Sequence, residues 1–126
     1  MAANVLDRFE FRSVRANEAE EVAEIEKICF PPHEVCSKKD MFERVEHAPE
    51  LFLVAVDKET GTIAGFLNGL ATDEEAFRDE FFTDITVHNP EGKNIFLLGL
   101  DVRPEYRRQG LAREIMNQYV KREQAN

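Results

Sequence analysis

Apolar residues recur along this chain at two spacings, and each change of spacing marks an element. Residues 9–15, Phe-Glu-Phe-Arg-Ser-Val-Arg, alternate apolar and polar with period two, which predicts a half-buried strand. The spacing then lengthens to three and four. Val22, Ile25, Ile28 and Cys29 share one helical face, while Glu18, Glu20, Glu21, Glu24 and Glu26 are expected in solvent. Asn17 with Glu20 three residues on predicts a capping box at the helix start. Phe30-Pro31-Pro32 ends the helix, because a residue before proline is pushed out of helical geometry. Ser37 and Asp40 repeat the capping pattern, and Met41, Phe42 and Val45 form the stripe of a short second helix that stops before Pro49.

Residues 51–56, Leu-Phe-Leu-Val-Ala-Val, are almost continuously apolar, as in a strand covered on both faces. Asp57-Lys58-Glu59-Thr60-Gly61 is turn chemistry, and residues 62–71 read as the returning strand of a hairpin. Gly65 and Gly69 inside that strand point to a bulge or to close approach by a ligand. Thr72 and Glu75 predict a helical turn over 74–82. Residues 94–102 form an apolar strand, and 111–123 a helix with Leu111, Ile115 and Tyr119 on one face. The order β-α-α-β-β-(α)-β-α makes a mixed α/β domain. At 126 residues, without linker or repeat, the chain reads as one domain, 1–126.

Charge sharpens the picture. The net charge of −9 argues against nucleic acid or an anionic membrane as partner. Residues 101–126 nevertheless hold six Lys/Arg against four Asp/Glu, a local +2 that leaves −11 on residues 1–100. No apolar run approaches the ~20 residues that span a bilayer. Cys29 and Cys36 show no zinc spacing and read as reduced thiols of a cytoplasmic protein, while His33, His47 and His88 read as surface or loop histidines. No metal is expected.

The basic excess centres on the loop between the last strand and the last helix. Arg107, Arg108, Gln109 and Gly110 precede a helix start at Leu111, Ala112 and Arg113. Gly110 permits a positive φ and close approach of the main chain, and Ala112 keeps the first helical turn narrow. Unpaired N–H groups at 108–113 could then hold phosphate oxygens, with arginine side chains assisting. Walker and dinucleotide fingerprints do not fit, since the glycine is followed by no Lys-Ser/Thr and is not one of three.

Leu100-Asp101-Val102-Arg103-Pro104-Glu105-Tyr106-Arg107-Arg108-Gln109-Gly110-Leu111-Ala112 resembles the acetyl-CoA motif of the GNAT acyltransferases. The layout upstream is most similar to the arylalkylamine N-acetyltransferase branch and its bacterial relatives. The resemblance implies that Leu100, Asp101 and Val102 are the strand edge bonded by pantetheine, and that residues 108–113 cradle the pyrophosphate, with Arg107 at the loop's start. It implies an amine pocket at the 30–36 loop, with Phe30, Pro31, His33 and Glu34. The implied activity is acetyl transfer from acetyl-CoA to a small primary amine by direct attack. The rival is a non-catalytic acyl-CoA-binding module.

Two departures from the family pattern stand out. The branch carries a histidine pair on the central strand, whereas Phe96 and Leu98 occupy the matching positions and cannot move protons. The catalytic base is therefore unassigned, with His33 and Glu34 as candidates. The family fold also continues beyond the last helix, so the chain reads as truncated there, with strand 94–102 left as an edge on which two copies could pair.

Overall fold

The computed structural model describes residues 5–30, 37–73, 88–89 and 91–124. A short helix, α1 (Val5–Arg8), leads into strand β1 (Phe9–Ser13). Helices α2 (Ala19–Cys29) and α3 (Lys38–His47) follow, then the hairpin of β2 (Phe52–Asp57) and β3 (Ile63–Thr72). Strand β4 (Asn94–Val102) and helix α4 (Leu111–Gln124) complete the described elements. The expected helical turn at 74–82 lies outside the described residues.

The sheet runs in the order β1-β2-β3-β4, with each neighbouring pair antiparallel. Every residue of β2 and β3 is buried, because helices cover both faces. On one face Val22 and Ile25 of α2 and Met41 and Val45 of α3 pack on Phe52, Val54 and Phe66. On the other, Leu111, Ile115 and Tyr119 of α4 pack on Leu53, Ala55 and Leu67. The hairpin turns where expected: Gly61 takes φ +74°, and its N–H donates to the Asp57 carbonyl at 2.8 Å. The pairing register shifts twice. Ala64 is the extra residue between Gly65 and Ile63, and Leu98 the extra residue of β4 between Leu97 and Gly99.

Three local expectations are corrected. The start of α2 is held by Glu18, not by an Asn17–Glu20 box. The Glu18 carboxyl accepts from the Arg15 N–H at 2.8 Å and from two nitrogens of Arg12 at 2.8 and 2.6 Å. Hydrogen bonding from Arg12 holds that carboxyl below its usual range. Second, α2 is rotated from the expected face: Ile28 is 49% exposed and Glu26 is buried. The buried line runs Ala19, Val22, Ile25 and Glu26, which turns residue 28 outward. Third, Phe42 faces out beneath the Lys38 ammonium, while Arg44 is buried. The Ser37 cap is observed, its hydroxyl accepting from the Asp40 N–H at 3.1 Å.

Gly65 and Gly69 each adjoin a register shift, as the expected bulge requires, and the neighbouring strand and helix fill the room they leave. A Cβ at Gly65 would lie 2.6 Å from the Asp101 carbonyl and 3.1 Å from Ile115, and one at Gly69 would lie 2.7 Å from the Phe96 carbonyl and 2.8 Å from the Tyr119 hydroxyl. Gly69→Ala is therefore expected to cost about 1–3 kcal/mol, read as a lower urea midpoint with an unchanged slope.

Candidate functional site

The C-terminal end of β4 is clamped before the basic loop begins. The Arg103 N–H donates to the Ala64 carbonyl at 2.8 Å, and its Nε to the Ile63 carbonyl at 2.7 Å. Pro104 then opens a 3₁₀ turn, Pro104–Tyr106, where a missing N–H costs nothing. Tyr106 anchors this turn, its hydroxyl donating to Asp57 at 2.7 Å and its ring meeting Phe9 edge-on at 5.7 Å. Gln109 is tied to α1 by Arg8 at 2.6 Å.

Beyond this anchor the main chain reverses through two left-handed residues, Arg108 at φ +64° and Gly110 at φ +80°. A Cβ at Gly110 would meet nothing within 4 Å, so the backbone angle, not crowding, calls for glycine. The first main-chain bond of α4 runs from the Glu114 N–H to the Gly110 carbonyl at 3.1 Å. The N–H groups of the turn before it have no intrahelical acceptor and sit at the positive end of the helix. Arg108, Gln109, Ala112 and Arg113 are exposed, while the Leu111 side chain is buried and pins the helix start. Two alternating left-handed residues and a helix N-terminus form a concavity able to take an anion.

Arg107 behaves differently from its neighbours. Its Nε donates to the Val102 carbonyl at 3.1 Å, and Nη2 lies 3.6 Å from Cys29 Sγ. The Cys29 thiol donates to the same carbonyl at 3.4 Å. Arg107 thus bends back to lock the end of β4 against α2. Burial, then the neighbouring Asp101 charge, push the Cys29 thiol up, which makes it a poor nucleophile.

Leu100, Asp101 and Val102 pair with β3 on one side only, and β4 has no strand on its outer side among the described residues. Leu100 packs toward α4, and Asp101 toward α2 and α3. Phe30 closes α2 in an extended conformation. Pro31, His33, Glu34 and Cys36 lie outside the described residues.

The sequence pattern missed a buried polar cluster on the α2–α3 side. Glu26 is 6% exposed, Arg44 5%, Asn68 1% and Asp101 1%. Arg44 donates to Asn68 Oδ1 at 3.1 Å. Asn68 Nδ2 and both Asp101 oxygens have no hydrogen-bond partner among the described residues. Burial, with the adjacent Glu26 carboxyl, pushes Asp101 up to about 9. A signal was present: Glu26 stands four residues from Val22 on the apolar stripe, and Asp101 interrupts an apolar strand.

His88 is a loop histidine, as expected, but not an exposed one. Its side chain is buried, Nδ1 accepts from the Ala71 N–H at 3.0 Å, and Nε2 meets Glu50 at 2.7 Å. That pattern places the proton on Nε2. Among the described residues no group of His, Cys, Asp or Glu could hold a metal ion, and no helix is long and apolar enough to cross a membrane.

A strand clamped at its end, an arginine loop with two left-handed residues and an open helix start define an acyl-CoA acyltransferase fold. The profile of the acetyltransferase (GNAT) family matches residues 19–125, and the chain belongs to that family. A probable hydrolase of Bacillus subtilis, YhcX, is 30% identical over 114 residues, covering 82% of this chain and 22% of its own. The GNAT-like decarboxylase GphF, solved with isobutyryl-CoA, superposes with a TM-score of 0.78 at 20% identity, over 90% of this chain and 58% of its own. Diaminobutyrate acetyltransferase EctA from Paenibacillus lautus, solved with L-2,4-diaminobutyric acid and coenzyme A, gives 0.62 at 17% identity, over 89% and 56%. The chain thus spans about a fifth of the curated relative and rather more than half of each solved structure.

Tyr106→Phe tests the anchor of the loop. The Asp57 carboxyl is held below its usual range first by the Tyr106 hydroxyl and then by the Glu59 N–H, so its stabilisation is present at neutral pH and lost as pH falls through the folded-state value. Removing the hydroxyl is expected to cost about 1–3 kcal/mol at neutral pH and to move acid unfolding to higher pH. Circular dichroism across an acid titration reads both effects.

Proposed function

We propose that this chain is an acetyl-CoA-dependent N-acetyltransferase domain acting on a small primary amine. The observation that carries the reading is the junction of β4 and α4, where Arg108 and Gly110 are both left-handed and open the helix start to an anion. The pyrophosphate would be held by main-chain N–H groups at 108–113, with the Arg108 and Arg113 side chains assisting. The pantetheine arm would run along the open side of β4 at Leu100, Asp101 and Val102. Arg107 supports this edge from behind.

The amine would enter beside Phe30, at the loop that continues through Pro31, His33 and Glu34. There the neutral nitrogen attacks the thioester carbonyl, which a strand N–H polarises. The apolar residues Phe96 and Leu98 favour a second reading, a module that binds acyl-CoA without turnover. EctA, solved with an amine and coenzyme A, supports the first. Two further parts of the reading are that residues 1–126 act as one domain and that the protein works in the cytoplasm.

Calorimetric titration with acetyl-CoA tests the cofactor assignment, and gel filtration of the same sample reports pairing through β4, where Ile95 and Leu97 are exposed. Micromolar binding is expected. Gly110→Val, which forces a β-branched residue to φ +80°, is expected to abolish that binding while the circular dichroism spectrum stays unchanged. Equal affinity in the variant would remove the loop from the site. Thiol release from acetyl-CoA in the presence of amines separates the enzyme from the binding module.

A further inference from the structure

Acyl transfer needs a place for protons, and the two strand positions where the related branch keeps histidines hold Phe96 and Leu98. The polar cluster on the α2–α3 side of β4 is the alternative. We propose, resting on the acyl-transfer reading above, that the Glu26–Asp101 carboxyl pair is the proton exchanger of the reaction. The pair gives one proton to the departing CoA sulfur and takes one from the attacking amine.

Geometry carries this assignment. Asp101 belongs to the stretch of β4 that leads into the arginine loop, beside the strand edge assigned to pantetheine. Its carboxyl is sealed from water, and neither oxygen has a bonded partner among the described residues. Asn68 Nδ2 is equally buried and has no hydrogen-bond partner among the described residues. A Cβ at Gly99 would touch both groups, 3.6 Å from Asp101 Oδ1 and 3.7 Å from Asn68 Nδ2, at ordinary van der Waals distance. Unsatisfied polar atoms in a buried site are costly, and a polar visitor would relieve the cost.

The charge balance fits a shared proton. Facing Asp101 are Glu26 and Cys29 from α2, Arg44 from α3 and Arg107 from the loop. Burial and then the neighbouring Glu26 carboxyl favour the protonated form of Asp101, so this acid brings a proton to the pair at neutral pH. Arg44 directs its guanidinium at Asn68 Oδ1. The Cys29 thiol, pushed up by burial, stays out of the exchange.

The step balances. The amine nitrogen forms its bond to the thioester carbon, and its surplus proton passes to the pair. The carbon–sulfur bond breaks with its electron pair on sulfur, which takes the proton the pair already held. An amide and a free thiol leave, and the pair ends with one proton, as it began. Glu26, slightly the more exposed acid, touches the reacting atoms; Asp101 positions and charges it.

Infrared spectroscopy and turnover test the pair on the 126-residue chain. At neutral pH the protein is expected to show a protonated carboxylic acid band that Asp101→Asn removes. With acetyl-CoA and hydroxylamine as the probe nucleophile, Asp101→Asn and Glu26→Gln are expected to slow thiol release about 100-fold or more and to change its pH profile. In Glu26→Gln the calorimetric affinity for acetyl-CoA should stay that of the parent. Asp101→Asn should also melt at or above the parent temperature, increasingly so as pH rises toward about 9. An acid with a raised folded-state pKa destabilises the fold as pH rises from its unfolded value to that point.

A band that persists in Asp101→Asn overturns the proposal. So does parent-like turnover with an unchanged pH profile in both variants, or a parent that binds acetyl-CoA and releases no thiol. A parent that binds no acetyl-CoA overturns the function on which the pair depends. If Asp101→Asn does not fold, Glu26→Gln decides by the same readings.

Discussion

Helix α4 lies against β3 at a distance set by two missing side chains. Gly65 and Gly69 leave room for Ile115 and for the Tyr119 hydroxyl, which donates to the Leu51 carbonyl at 3.1 Å. Leu111, Ile115 and Tyr119 are buried along that contact, so the first turn of the helix cannot shift without opening the core. The loop before it is held at its other end by Arg103 and Tyr106. An anion site made of main-chain N–H groups works only when the main chain is held in place, and here both ends are fixed by groups outside the loop.

The two faces of the sheet carry different chemistry. Toward α4 the packing is apolar except where Tyr119 finds its carbonyl. Toward α2 and α3 the apolar layer gives way near β4 to Glu26, Arg44, Asn68 and Asp101. Burying such groups offsets part of what the core contributes, since each lost hydration must be replaced by a partner. The bulge at Leu98 lies beside this cluster and changes which β4 residues face which side. Stability alone would favour apolar residues there; the acyl-transfer reading supplies a reason for acids.

Arg107 shows how a motif residue can serve the site without facing it. With Cys29 it converges on the Val102 carbonyl, joining the end of α2 to the end of β4. The strand edge proposed for pantetheine and the helix bordering the proposed amine pocket are therefore mechanically coupled. Arg107 stays exposed beyond that contact, as do Arg108 and Arg113.

Local rules made much of this legible in one dimension. The apolar run at 51–56, the turn closed by Gly61, the Ser37 cap, the Leu111–Ile115–Tyr119 stripe and the positive φ of Gly110 depend on neighbouring residues or on steric limits of a single residue, so sequence by itself determined them. Other features needed the packed molecule. Which way α2 rolled, hiding Glu26 and exposing Ile28, was settled by fit against β4 and α3. The purpose of Gly65 and Gly69 appeared only when α4 lay across them, and His88 became a buried bridge through Ala71 and Glu50, seventeen and thirty-eight residues away. The acid pair of Glu26 and Asp101 joins positions seventy-five residues apart. Periodicity reports how a residue relates to its own element, whereas burial and charge coupling depend on what another element brings against it; tertiary structure alone decided those.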